Sequence, residues 1–208
     1  MSHPLVIIGA GGFGREALGW VRDSTEDEVV AFYDESTPHE EVMGVPVVKS
    51  FDSLKHSDFL VAVGDPKLRK MLYEMAVAAG LHPCMPIIHP SVICGAEVAV
   101  GRGSIVCPNV VLTVNVVIHD NCLLNLACTV GHDARIRSHS VLSPGANISG
   151  NVVLEECVQV GTNAAIRERV KVGAGSVIGM GAVLLKDVPP DAVMVGNPAR
   201  PMPVRPVS

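Results

Sequence analysis

The sequence predicts two architectures in one chain: an N-terminal α/β half-domain and, after it, an all-β parallel solenoid built on a six-residue repeat. Three observations carry this reading. From Ile88 to Leu184 every sixth residue is apolar. Four places after each of these, a second series from Val92 to Ala182 holds only small or β-branched residues. Before residue 84 the pattern changes to short apolar runs, a glycine cluster and helical faces.

A period of six matches neither the 3.6 of a helix nor the 2 of an ordinary strand, and it is the signature of a hexapeptide β-helix. Each hexad supplies one short strand and one corner. Stacking the coils buries the series Val106, Leu112, Ile118, Leu124, Val130 and onward in one internal column. The corners hold residues that tolerate tight bends, as at Gly95, Gly101, Asn125, Gly131, Gly161, Gly173 and Gly179.

The N-terminal part reads in order as strand, glycine turn and helix. Leu5–Ile8 form a buried strand that runs into Gly9-Ala10-Gly11-Gly12-Phe13-Gly14, and Ala17, Leu18, Trp20 and Val21 give the following helix an apolar face. In that context free amides at the helix start face an anion. A glycine turn that merely packs helix on strand explains the same residues without a ligand. A second strand, Val29–Tyr33, ends at Asp34, and a third, Phe59–Val63, precedes Gly64-Asp65-Pro66 and a helix over 67–79. Residues 1–83 therefore hold a single Rossmann-like half, with the solenoid over 84–208. A dinucleotide site needs two such halves, so a mononucleotide or a nucleotide sugar fits better than NAD.

Composition narrows the classes. The chain has 208 residues, 48% hydrophobic and 18% charged, which is the balance of a folded protein. Neither a signal-like start nor a membrane-length apolar run is seen, so a cytoplasmic protein without a membrane partner is expected. Six cysteines show no CxxC spacing. Cys94, Cys122 and Cys128 fall on the two inward series, so buried thiols are expected and neither disulfides nor a metal. A net charge of −5 argues against nucleic acid. Residues 1–133 carry 8 Lys and Arg against 16 Asp and Glu, whereas residues 134–208 carry 8 against 5. A polyanionic ligand is therefore sought towards the C-terminus.

The run Gly9 to Glu16, then Tyr33-Asp34-Glu35, then Ala62-Val63-Gly64-Asp65 with Arg69 four residues on, then uninterrupted hexads, resembles the nucleotide-sugar acetyltransferases of bacterial glycan synthesis. That family includes UDP-4-amino-sugar and GDP-perosamine N-acetyltransferases and sialic-acid O-acetyltransferases. The resemblance implies a left-handed β-helix whose coil takes three hexads, so that positions eighteen apart stack. It implies that Gly9, Gly11 and Gly12 approach the phosphates or ribose of a nucleotide-linked amino sugar. By the same likeness, Asp34 and Glu35 lie near the base, and Gly64, Asp65 and Arg69 line that pocket. Relatives often carry His at the place of Phe13, and a second His nine residues after the catalytic one, where this chain has Val141.

The same resemblance matches Asn125 to Asp133 to the catalytic stretch, with His132 as general base, Asp133 as the acid that orients it and Asn125 reaching the acceptor sugar. Imidazole titrates near neutrality and suits that task. Eighteen residues beyond His132 lies Gly150, whose bare backbone lets an acyl group approach its amide as an oxyanion donor. Thr162, Met180 and Pro198 are further eighteen-residue steps along one edge. With Lys186 and Arg200 they are the candidates for binding acetyl-CoA, the expected co-substrate. A homotrimer with sites between subunits is implied by the family. Nothing in these residues separates N- from O-acetyl transfer. Two further readings stand beside the transferase: a zinc carbonic anhydrase with three histidines bridging subunits, for which His119, His132 and His139 are available, and a non-catalytic sugar-nucleotide-binding trimer.

Overall fold

The computed structural model describes residues 4–202. Its N-terminal part alternates β1 (Pro4–Ile8), α1 (Gly12–Ser24), β2 (Glu28–Tyr33), β3 (Glu41–Val42), β4 (Val45–Val48), β5 (Asp58–Val61), α2 (Pro66–Ala78) and β6 (His82–Pro83). The six strands form one sheet in the order β3-β4-β2-β1-β5-β6, parallel except for the β3–β4 hairpin. That hairpin turns on Met43 and Gly44, both at positive φ, as two-residue hairpin loops require. α1 begins at the glycine turn, and α2 is capped by the Asp65 carboxylate, which accepts from the Leu68 amide at 2.8 Å.

From Ile87 onward the chain winds into a solenoid of two-residue strands stacked on three faces. The first face carries Ile87–Ile88, Ile105–Val106, Leu123–Leu124, Val141–Leu142, Gln159–Val160 and Val177–Ile178. The second runs from Ile93–Cys94 through Thr129–Val130 and Asn147–Ile148 to Val183–Leu184, and the third from Ala99–Val100 to Lys171–Val172. Partners such as Val106 and Leu124, or Leu112 and Val130, are eighteen apart, the step the sequence implied. Within the hexads a corner residue takes a left-handed φ, including Asn109, Asn115, Asn121, Asp133, Asn151 and Asn163. Asn and Asp tolerate that region better than most side chains, so local preference and the repeat agree.

Both inward series are buried from Val106 upward, and each aliphatic side chain taken out of water contributes on the order of 1.5–3 kcal/mol. The inward serines Ser104, Ser140 and Ser176 are satisfied where they stand. Each hydroxyl donates to a carbonyl, of His119, Glu155 and Pro189, and accepts the amide of Cys122, Val158 or Ala192. Cys94 departs from expectation: it is exposed, because its coil is the first and nothing lies beneath it. Cys84, Cys107, Cys122 and Cys128 are free and buried. Burial pushes the Cys84, Cys122 and Cys128 thiols up to about 12.

The ruler slips once. After Leu184 the chain reaches the next inward position at Val188, which bridges Val172, sixteen residues earlier, and Ile178 pairs with Met194, again sixteen. Pro189 and Pro190 occupy the place a full hexad would have used. With Ile178 opposite Met194, the eighteen-residue step from Met180 to Pro198 does not hold, which corrects the track expected along that edge. The chain then folds back, pairing Val195 with Arg200 antiparallel.

The two parts share a core. Leu5, Ile7, Leu18 and Phe32 form one buried cluster with Ile87, Ile105, Leu123 and Val141 from the outer side of the first face. α2 covers the opposite side of the sheet.

Candidate active site

At the corner between the second and third faces, His132 and Asp133 follow the strand Thr129–Val130. His132 Nδ1 lies 2.7 Å from Asp133 Oδ2, and Asp133 Oδ1 accepts from Asn115 Nδ2 at 2.7 Å. Asn115 is one coil below Asp133, and both residues take the left-handed corner conformation. Hydrogen bonds to His132 and Asn115 hold the Asp133 carboxyl below the ordinary carboxylate range. An ionised carboxylate accepts only, so the imidazole hydrogen sits on Nδ1 and Nε2 presents its lone pair. Both side chains stay about half exposed, open to a substrate.

Gly150 lies where the eighteen-residue step puts it. Asn151 N donates to His132 O at 2.8 Å, fixing the two coils. A Cβ on Gly150 would fall 2.5 Å from His132 Nε2 and 2.7 Å from Cε1. The imidazole therefore lies over the bare Cα, and a side chain at this position would have to displace the ring. A Cβ on Gly131 would meet Gly150 N at 2.6 Å, so two glycines bring the backbones together at this corner. The Gly150 amide makes no hydrogen bond among the described residues.

The remaining solenoid candidates divide between two edges. Lys186 stands three coil steps above His132 on the same edge, roughly 14 Å away at the strand spacing of a sheet. There it lines a hollow of about 380 Å³ with Pro198 and Arg200. Asn125, Thr162 and Met180 lie instead on the edge between the first and second faces. The Gly181 amide, donating to Thr162 O at 2.9 Å, stacks the last two of these, and Met180 is 80% exposed. Within one chain these residues and His132 lie on opposite edges of the second face.

The α/β part holds a cleft of about 300 Å³ between the ends of β1 and β2 and the flank of α2. Gly9, Tyr33, Asp34 and Glu35 line one side, and Leu68, Met71 and Met75 the other. Gly9 has φ +106, and a Cβ there would meet Ala62 O at 2.9 Å; Gly14 packs directly against Gly9 O. Gly11 and Gly12 are exposed at the start of α1, with open space where a Cβ would be. Asp34 does not reach outward. Its Oδ2 accepts from the Ala10 amide, and its Oδ1 from the Ser36 amide and hydroxyl and the Thr37 amide. Burial alone would raise this carboxyl, but those bonds outweigh it and hold it low.

Two expectations for the pocket are corrected. Arg69 is fully buried and lines no cleft. Its guanidinium donates to the Asn121 carbonyl at 2.7 Å and to those of Val61, Val63, Gly103 and Cys122, riveting α2 to the solenoid. Burial brings it down to about 10, still a cation at neutral pH. Gly64 and Asp65 lie outside the cleft as well, since Asp65 is spent as the cap of α2. The position of the family's second histidine, Val141, is buried in the seam between the two parts, and Phe13 packs edge-on against Trp20.

Two of the three histidines of the zinc alternative are engaged within the chain. His139 is buried against Tyr73 and bonded through Nδ1 to Asn121 Nδ2 at 2.9 Å, while His119 Nε2 pairs with Arg137. Among the described residues, no three His, Cys, Asp or Glu side chains form a group able to hold a metal ion. Several contributors escaped the sequence reading. Asn115 lies eighteen residues before Asp133, so the period itself pointed to it. Tyr33 entered only as part of the Tyr33-Asp34-Glu35 run, and the α2 methionines gave no signal, because apolar helix residues read as core.

Comparison with known proteins places this geometry. Residues 4–76 match the family model of the PglD N-terminal domain. A GDP-perosamine N-acetyltransferase of Escherichia coli O157:H7 is 32% identical over 148 residues, which cover 67% of the chain and 66% of that relative. The acetyltransferase domain of PglB from Neisseria gonorrhoeae FA1090 superposes with a TM-score of 0.89 at 32% identity, over 97% of the chain and 100% of that domain. PerB from Caulobacter crescentus, solved with CoA and GDP-perosamine, superposes at 0.88 with 29% identity, over 96% of the chain and 97% of PerB.

Proposed function

The chain belongs to the hexapeptide-repeat nucleotide-sugar acetyltransferases, and we propose that it moves an acetyl group from acetyl-CoA to the amino group of a nucleotide-linked amino sugar, with His132 as general base. The observation that carries this is the His132 ring, fixed through Nδ1 by Asp133 and Asn115 and lying with Nε2 over the bare Cα of Gly150. The amine attacks the thioester carbonyl and forms the C–N bond as His132 Nε2 takes its proton. The C–S bond then breaks, and the imidazolium returns that proton to the leaving thiolate of CoA. Asp133 stabilises the imidazolium and keeps the tautomer. The unused Gly150 amide faces the developing oxyanion. No cysteine takes part, so attack is direct.

Lys186 and Arg200 supply positive charge for the CoA phosphates, with Pro198 shaping the hollow between them. Thr162 and Met180 contact CoA from a neighbouring copy, and Asn125 approaches the acceptor sugar. Support for this division comes from the second face itself. Its outward residues Val111, Thr129, Asn147, Ala165 and Val183 carry no charge, whereas the third face presents Arg135 and Lys171. An uncharged face between the His132 edge and the Met180 edge suits a homotrimer in which each site draws on two chains. The residues around the N-terminal cleft, with Gly9, Gly11 and Gly12 at its phosphate end, hold the sugar nucleotide. Such chemistry belongs in the cytoplasm, where both substrates are made.

The test is consumption of acetyl-CoA with UDP-, GDP- and dTDP-linked 4-amino sugars and with CMP-sialic acid. Turnover of an amino sugar nucleotide supports the reading. Turnover of CMP-sialic acid alone points to O-acetylation, and turnover of free amino sugars alone removes the role of the N-terminal part. Sedimentation that gives a monomer would refute the shared site.

A further inference from the structure

Of the two carboxylates lining the N-terminal cleft, one keeps its oxygens for a base, and its chemistry narrows which base fits. Of the two carboxylates at the rim, Asp34 has both oxygens committed to Ala10, Ser36 and Thr37. Lys49, the cation of that loop, is committed as well, donating to the carbonyls of Asp34 and Thr37. Glu35 remains. Its Oε1 accepts the Tyr33 hydroxyl, which fixes the carboxylate, and Tyr33 is itself fixed by stacking on Phe51 with ring centroids 3.8 Å apart. Glu35 keeps Oε2 and the rest of Oε1 for a ligand. Across the cleft, Leu68, Met71 and Met75 are each at least 40% exposed. Such large apolar side chains left uncovered on one flank suit the flat face of an aromatic ring.

A fixed carboxylate accepts hydrogen bonds and donates none. Guanine presents N1–H and the N2 amino group side by side, two donors matched to two carboxylate oxygens. Uracil and thymine present a single N–H between two carbonyls, whose lone pairs would oppose the carboxylate. Cytosine and adenine set an amino group beside a bare ring nitrogen, with the same conflict. A paired charge-assisted contact is among the stronger polar interactions, and a mismatched base sets its own lone pairs against the carboxylate.

We propose that this cleft selects guanine through Glu35, with Tyr33 as the residue that positions it, so that the acceptor is a GDP-linked sugar. The inference rests on the assignment of the cleft to the sugar nucleotide. It is tested by calorimetric titration of the full chain with GDP, UDP, dTDP and CDP, and by the same titrations of Glu35→Gln and Tyr33→Phe. GDP is expected to bind at least about tenfold tighter than the others. In Glu35→Gln, GDP affinity falls about tenfold or more while UDP affinity holds or rises, because an amide replaces one acceptor by a donor. Tyr33→Phe keeps the ring and frees the carboxylate, so its loss is smaller and again confined to GDP. Equal or tighter binding of UDP or dTDP overturns guanine selection while leaving the cleft as the nucleotide site. A uniform loss across all four nucleotides in Glu35→Gln overturns the role of Glu35. Absence of binding by every nucleotide overturns the assignment of the cleft itself.

Discussion

The two parts of this molecule encode their contacts differently. In the solenoid, position in the sequence is position in space: eighteen residues separate Asn115 from Asp133 and His132 from Gly150, and each pair is in contact. In the α/β part, neighbours are set by strand order, so β1 sits between β2 and β5, and Asp34 reaches back twenty-four residues to the Ala10 amide. A periodic fold makes a catalytic pair computable from the chain, whereas a ligand cleft in an open sheet has to be seen.

That contrast can be broken at either end. The largest effect is expected from His132→Ala, which should lower kcat about a thousandfold while leaving affinity for CoA unchanged. Steady-state kinetics with a calorimetric titration of CoA checks it, and unchanged turnover would remove His132 from the mechanism. Next comes Arg69→Met, which leaves the carbonyls of Val61, Asn121 and Gly103 buried without the guanidinium donor, while that of Cys122 keeps the Ile105 amide. A loss of about 3 kcal/mol or more in denaturant unfolding is expected, with the solenoid register intact. A variant as stable as the parent would mean that the seam is held by apolar packing alone. Asn115→Ala sharpens the ruler: it frees Asp133 and should cost about tenfold in kcat with little change in either KM.

The smallest effect concerns pH. Burial, and then the Lys70 cation, hold the His139 imidazole below its ordinary value, with Arg69 adding to this and Glu156 and Glu74 opposing it. The folded state therefore binds this proton less readily than the unfolded chain does. Stability contributed by neutral His139 is present above about pH 6.5 and is lost as the pH falls below it. His139→Gln retains an acceptor for Asn121 Nδ2 and should flatten the acid limb of a melting-temperature profile. An unchanged slope would assign that limb to other groups.

The solenoid, its inward columns and the pairing of His132 with Gly150 were legible because the period survives every substitution that keeps a small or aliphatic side chain. Even the slip was visible in part, since Pro190 stands where the next aliphatic residue was due. The expected track through Pro198 failed because a short coil removes two residues from the step, and no periodic rule announces that in advance. Arg69 misled for a different reason. The family likeness put it in the lining of the nucleotide pocket, and only the docking of α2 on the solenoid turns it inward. Asp65 and Asp34 likewise carry side chains that read as ligands, but backbone amides claim them first.

The central claim is that His132 and Gly150 act as one unit because the coil stacks them. The measurement that tests it most directly is the turnover of Gly150→Ala in the parent chain and in the His132→Ala background. If the added methyl acts by displacing the imidazole, it costs about a hundredfold in kcat when His132 is present and less than about threefold when it is absent. Equal losses in the two backgrounds would contradict the account.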